Sequence, residues 1–282
     1  FSSSRNVRNI ISQSMTLAIA SIGQTFVLLL GGIDLSIGST ISLSTVILAT
    51  VSSQPQMGIP LAIFLSVFCG AMIGLINGIG VVRFRIPAMI ITLSTSSIIK
   101  GISLLILPKP GGKISLTLLD FFTARFGVLT TSSILAIILY IIAFFVLHYT
   151  SFGRSIYATG NNPIHARQTG IATNRVTVIA YMVSGVLAAI AGIILSMRVF
   201  SGDALIGDSY SMDTVAAAVV GGISLVGGVG SVIGALAGAF VLGMVNNMLN
   251  MLGVYAYYQY IIKGVILVFA LLIFRMKRRN RV

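Results

Sequence analysis

The 282-residue chain has no glutamate, five aspartates, one cysteine and two histidines, and only 8% of its residues are charged. Each scarcity closes off a class of protein. The lone Cys69 excludes an intrachain disulfide and a cysteine-ligated metal cluster. Without glutamate, and with His148 and His165 separated, neither a metal site nor a metal cofactor is expected. The GxxxxGK[ST] phosphate loop is absent. Its nearest approach, Gly111-Gly112-Lys113-Ile114, lacks both the upstream glycine and the final hydroxyl. No Ser/His/Asp arrangement offers a nucleophile, so the chain is no enzyme by itself, and neither catalytic residues nor any cofactor are expected. A soluble domain carries roughly a quarter charged residues, so a wholly water-facing surface is excluded as well.

Apolar residues fill the space. They make up 56% of the chain, and mean hydropathy is +1.05. A bilayer crossing takes about 20 apolar residues. Runs of that kind fall near 10–30, 33–53, 58–82, 86–107, 131–149, 175–198, 213–228, 229–250 and 258–275. The split of the glycine-rich run 213–250 into two is the least defined of these. No stretch reads as a linker, so residues 1–282 form one transmembrane domain. The expected class is an all-α polytopic membrane protein with about nine segments.

Eighteen Lys and Arg give a formal net charge of +13. They sit between the apolar runs and at the C-terminus, which argues for membrane orientation and against nucleic acid as a partner. Lys277, Arg278, Arg279 and Arg281 follow Arg275, placing the C-terminus in the cytoplasm. Counting back, 150–174 and the Arg83–Arg85 turn are inside, and 199–212 is outside. Residue 1 then falls outside, and a further helix, expected ahead of Phe1, would bring the N-terminus back in and the total to about ten.

An internal repeat fits this arrangement. Shifted by 169 residues, 5–77 aligns with 174–246 without a gap and with about fifteen identities. They include Asp34 with Asp203, Gly38 with Gly207, Ser42 with Ser211, Gly74 with Gly243 and Asn77 with Asn246. The halves run from about 1 to 107 and from about 131 to 275. Five helices per half is an odd number, so the halves are inverted, an arrangement that builds alternating-access transporters. A second match, Ile-Ile-Lys-Gly at 98–101 and 261–264, needs a different offset.

Several polar features interrupt the apolar runs. Gly31-Gly32-Ile33-Asp34 breaks one of them, because paired glycines disfavour helix and a carboxylate is expensive in lipid. Asp34 can cap the following helix near Ser36 and Ile37, and can also face a solute path. Asp203 invites the same reading at the other break. Gln13, Gln24, Asn77, Thr92, Ser94, Tyr181, Asn246 and Asn247 lie inside spans, where interhelical hydrogen bonds or a hydroxylated solute could engage them. We take Asp34, Gln24, Asn77, Asn246, Thr92, Ser94, Tyr181 and Asp203 as candidates for the path. Gly70, Gly74, Gly78 and Gly230, Gly234, Gly238 form two ladders expected to pack helices closely. In the loop 150–174, Asn162 before Pro163 marks a helix start, and Gly170 a stop.

Three segments resemble the permease subunits of bacterial ABC importers for monosaccharides of the ribose, galactose and arabinose type. They are TFVLLLGGIDLSIGS (25–39), FGRSIYATGNNPIHARQTGI (152–171) and AAAVVGGISLVGGVGSVIGALAG (216–238). Branched-chain amino-acid permeases share the third segment more loosely. The resemblance implies a bacterial inner-membrane permease, paired with an identical or homologous second permease. It further implies two ATP-binding cassette subunits and a periplasmic sugar-binding protein. It makes 152–171 the cytoplasmic coupling segment, with Gly153, Arg154, Gly160, Asn162, Pro163, Ala166 and Gly170 on the pattern. The chain departs from that pattern at Ile164 and His165, where an acidic residue and an alanine are usual. The expected function is import of a small neutral sugar by alternating access. An ion-coupled secondary transporter would need carboxylates inside spans, and only Asp34 qualifies. A passive channel would need a polar pore lining.

Overall fold

The computed structural model describes residues 4–54, 58–126, 129–255, 257–259, 261–266 and 268. Eleven helices follow in order among them: α1 Ser4–Leu29, α2 Ile37–Val51, α3 Gly58–Arg83, α4 Ala88–Ile106, α5 Leu116–Thr123, α6 Thr131–Tyr149, α7 Ser151–Asn161, α8 Pro163–Gln168, α9 Thr173–Val199, α10 Asp208–Val220 and α11 Val232–Met251. Residues 261–266 continue as helix. Among the described residues the β pairings are a two-residue ladder, Arg125–Phe126 against Leu129–Thr130, and a single bridge between Gly111 and Gly202.

Six of these helices are long and apolar enough to cross a membrane: Asn6–Leu29 within α1, and α3, α4, α6, α9 and α11. They account for six of the expected spans. Two others prove shorter than expected. The run 33–53 becomes α2, of 15 residues, and 213–228 becomes α10, of 13. At 1.5 Å per residue these reach about 22 and 20 Å, short of the roughly 30 Å of hydrocarbon. α2 starts late because Gly31 adopts φ +79° and the chain runs non-helically to Ser36. α10 follows a second break, from Phe200 at φ +57° to Gly207, and begins ahead of the expected run; it ends early, where Gly222 adopts φ +85° and the chain leaves the helix. The span expected at 258–275 and the basic tail lie largely outside the described residues.

The two short helices start against each other. A Cβ on Gly38 would collide with Gly207 O, and one on Gly207 would collide with Gly38 O. Gly207 N donates to Ser42 Oγ at 2.9 Å, and Ser211 Oγ donates to Leu35 O at 2.8 Å. Each break therefore lies along the opposite short helix.

α1, α2 and α9 are largely buried in the bundle, while α4 and α6 turn apolar faces outward, with Ile90, Leu93, Ile141 and Phe145 exposed. Gly70, Gly74 and Gly78 bring α3 onto α9; a Cβ at Gly78 would lie 2.8 Å from Val178 Cα. The second ladder is not what its spacing suggests. Gly234 and Gly238 do pack on Gly221 and Ala217, but Gly230 lies in the loop before α11 with φ +144°. Spacing of four shares a face only where the chain is helical.

Candidate functional site

The site is built around the first break. Asp34 is only 1% exposed. Its Oδ1 accepts from Ser36 N at 3.0 Å and Ser36 Oγ at 2.6 Å, and its Oδ2 accepts from Ser184 Oγ of α9 at 2.7 Å. Asn77 Nδ2 of α3 donates to Ser36 Oγ at 2.8 Å. Thr92 Oγ1 of α4 lies 3.2 Å from Ile33 O while back-bonding to Ala88 O. One carboxylate thus organises the break, α3 and α9. It bonds Ser36 N, as expected of a residue that starts a helix, while Ser36 takes the cap position with no side-chain cap bond of its own.

Not every residue expected on the path comes to this place. Tyr181 does: its hydroxyl abuts Gly32, where a Cβ would stand 2.5 Å away. Gln24 is fully buried in α1, with neither amide atom partnered among the described residues. Ser94 is exposed and bonds back to Ile90 O within α4. Asn246, on α11, lines a separate cavity. Asp203 sits at the other break, half-buried, and accepts from Leu205 N at 2.8 Å. Its backbone N donates to Thr45 Oγ1 of α2 at 3.2 Å.

Beside the first break is a cavity of about 600 Å³, lined by Gly31, Gly32, Arg85, Thr159, Gly160, Pro163, Arg167 and Tyr181 among others. The hydroxyls of Thr159 and Tyr181 are buried there without partners among the described residues. Residues expected on the path and residues expected to couple therefore share one wall.

The segment expected to couple, 150–174, folds as its sequence dictates. Thr150 Oγ1 accepts from Gly153 N at 3.2 Å and starts α7, where Arg154 is exposed. Asn162 Oδ1 accepts from Ile164 N and His165 N at 3.0 and 3.1 Å, capping α8 ahead of Pro163 at its first position. Gly170, at φ +86°, ends it. Ile171 N bonds Ala166 O at 3.1 Å and Gly170 N bonds Arg167 O at 3.0 Å, the paired bonds of a Schellman stop. Ala166 is buried, whereas Ile164 and His165 face outward. Arg167 is held by Thr173 Oγ1 and Asn174 Oδ1 at 2.7 and 2.9 Å.

Gly160 fixes this segment to the first break. A Cβ there would overlap Leu29 O, the same carbonyl that accepts from Gly228 N at 2.8 Å. Tyr157 Oη adds a 2.9 Å bond to Gly230 O, and burial raises its phenol pKa, keeping it a donor at neutral pH. All three segments that carry the resemblance meet at this clasp.

Two ion pairs escaped the reading of the sequence. Lys100 of α4 pairs with Asp208, and Lys263 pairs with Asp213 at 2.7 Å. The repeated Ile-Ile-Lys-Gly was their signal: a lysine inside an apolar run needs a partner, and both lysines find theirs on α10.

Residues 6–271 match the family described as branched-chain amino acid transport system / permease component. Over 279 residues the chain is 36% identical to the ribose import permease protein RbsC of Escherichia coli K12, covering 97% of this chain and 86% of that protein. It is 34% identical over 291 residues to the galactose/methyl galactoside import permease protein MglC of Haemophilus influenzae, covering 96% and 87%. Identity is 36% to the autoinducer 2 import system permease protein LsrC of Photorhabdus luminescens, over 96% and 81%. No solved structure matches.

Proposed function

Because the chain belongs to the branched-chain amino acid transport system / permease component family, we propose that it is the permease subunit of an ABC importer and passes a small neutral sugar across the bacterial inner membrane. Its likeness to ribose and galactose permeases over nearly its full length carries this reading. ATP is hydrolysed on separate ATP-binding subunits, and a sugar-binding protein delivers the cargo to a pair of permeases. Segment 150–174 and the C-terminus lie in the cytoplasm, and 199–212 lies outside, following the count of basic residues.

The halves form an inverted repeat. Two observations support it: the reciprocal Gly38–Gly207 contact, and the shared turn in which Asp34 and Asp203 each accept from the amide two residues on. Alternating access then works by rocking the halves about this crossing. α8 presents the outward Ile164 and His165 to the ATPase, and the Gly160 clasp carries its movement to the break that holds Asp34.

The test is uptake into proteoliposomes containing the permease with its ATP-binding subunit, the binding protein being added outside. Import of D-ribose or D-galactose that stops without ATP is expected. Uptake driven by an ion gradient without ATP, or import of L-leucine in place of sugar, would defeat the reading.

A further inference from the structure

The end of the bundle away from the coupling segment holds a second polar chamber. Its volume is about 150 Å³, and Gln13, Arg198, Asp213, Asn246, Asn250 and Lys263 line it. It adjoins an open cleft of about 550 Å³ through Ser209, Asp213 and Lys263, and there Met212, Ala216 and Gly264 supply an apolar wall. The carboxylate at the junction is 7% exposed and takes its 2.7 Å bond from Lys263 Nζ. Arg198 Nη1 donates to Gln13 O at 3.3 Å. Asn246 Oδ1 is buried with no partner among the described residues.

We propose that this chamber is where the permease itself holds one monosaccharide, a proposal that rests on the sugar-importer reading above. Here charged and amide groups face open space, and a buried acceptor without a donor is a cost that an occupant removes. The space, about 150 Å³ and open to the cleft, is on the scale of one sugar ring. The lining offers both donors and acceptors, as hydroxyl groups require. The adjoining apolar wall suits the C–H face of a ring.

Lys100 and Lys263 hold α10 at Asp208 and Asp213, and the cleft borders both carboxylates. Cargo that exchanges hydrogen bonds with Asp213 therefore competes with one of the two pairs fixing this short helix. Binding would thus bear directly on how α10 sits against the helical segment that carries Lys263.

Removing Asp213 would strand Lys263 and endanger folding, so the test uses gentler changes. Asn246→Leu removes an acceptor that bonds nothing. Ser209→Cys, in a Cys69→Ala background, places a thiol at the junction for modification by 2-sulfonatoethyl methanethiosulfonate. Both are assayed in the full transporter for sugar moved per ATP hydrolysed. We expect Asn246→Leu, and the modified Ser209→Cys, to lower this ratio at least ten-fold at normal abundance while ATP hydrolysis stays within two-fold. Ratios unchanged in both would overturn the chamber and leave the sugar-importer reading standing. Failure of the unsubstituted transporter to import D-ribose or D-galactose would overturn both together.

Discussion

Asp34 and Asp203 begin alike and end in different surroundings. Each accepts from the backbone amide two residues ahead, and each precedes a short helix. There the likeness stops. Asp34 is buried and gathers Ser36 and Ser184, with Asn77 behind them. Asp203 is half-buried and, among the described residues, makes that single side-chain bond. The turn is a local property of the sequence, whereas the consequence of losing it is set by what the rest of the fold packs around it. Water can replace a lost bond at the half-buried Asp203 and cannot do so at the buried Asp34.

The most damaging way to probe this difference is Asp34→Ala. It strands Ser36 N–H, Ser36 Oγ–H and Ser184 Oγ–H, at about 1–3 kcal/mol for each donor left without an acceptor. We expect most of the folded protein to be lost from membranes, and normal abundance with a normal melting temperature in detergent would contradict it. Asp34→Asn should be far milder, about 1 kcal/mol, because the amide oxygen still accepts from Ser36 and the Ser184 hydroxyl can turn to accept from the amide N–H. Both carboxylate oxygens are occupied by serines, so uptake should stay within two-fold of normal. A ten-fold loss at equal abundance would mean that the charge itself serves transport.

Asp203→Ala comes next, with an expected cost of about 0.5–1 kcal/mol, because Thr45 holds the Asp203 backbone whatever the side chain. Equal damage from the two alanine variants, read by thermal melting, would erase the distinction between the breaks. The smallest effect is expected from single cysteines at Gln168 and Leu205 in the Cys69→Ala background. Both positions are exposed, and transport should be unaffected. An impermeant maleimide should reach them from opposite faces of the membrane; reaction of both from one face would refute the proposed orientation.

Long apolar runs announced the six full-length helices, because twenty consecutive apolar residues have few alternatives to a membrane helix. The start and stop of α8 were equally plain, since Asn-Pro and glycine act through their own backbones. The lengths of α2 and α10 were not legible. Both lie in apolar runs, and hydropathy does not distinguish a helix from an extended strand of chain that a neighbouring helix covers. Gly230 was misplaced for the same reason. Partners remote in sequence were hidden too: nothing near Ser184 points to Asp34, 150 residues away. The pairs on Lys100 and Lys263 were half legible, as each lysine demanded a carboxylate without indicating which.

The clasp at Gly160 has a mechanical meaning. A linkage made through side chains is compliant, because rotamers shift and absorb a small displacement before passing it on. Where Gly160 meets Leu29 O and Gly228, backbone lies directly on backbone, with no Cβ between them at the glycines. Such a joint has almost no backlash. Under the proposed coupling role, a push of a fraction of an ångström on α8 would pass through Gly160 of α7 to the turn ahead of Asp34 with little loss.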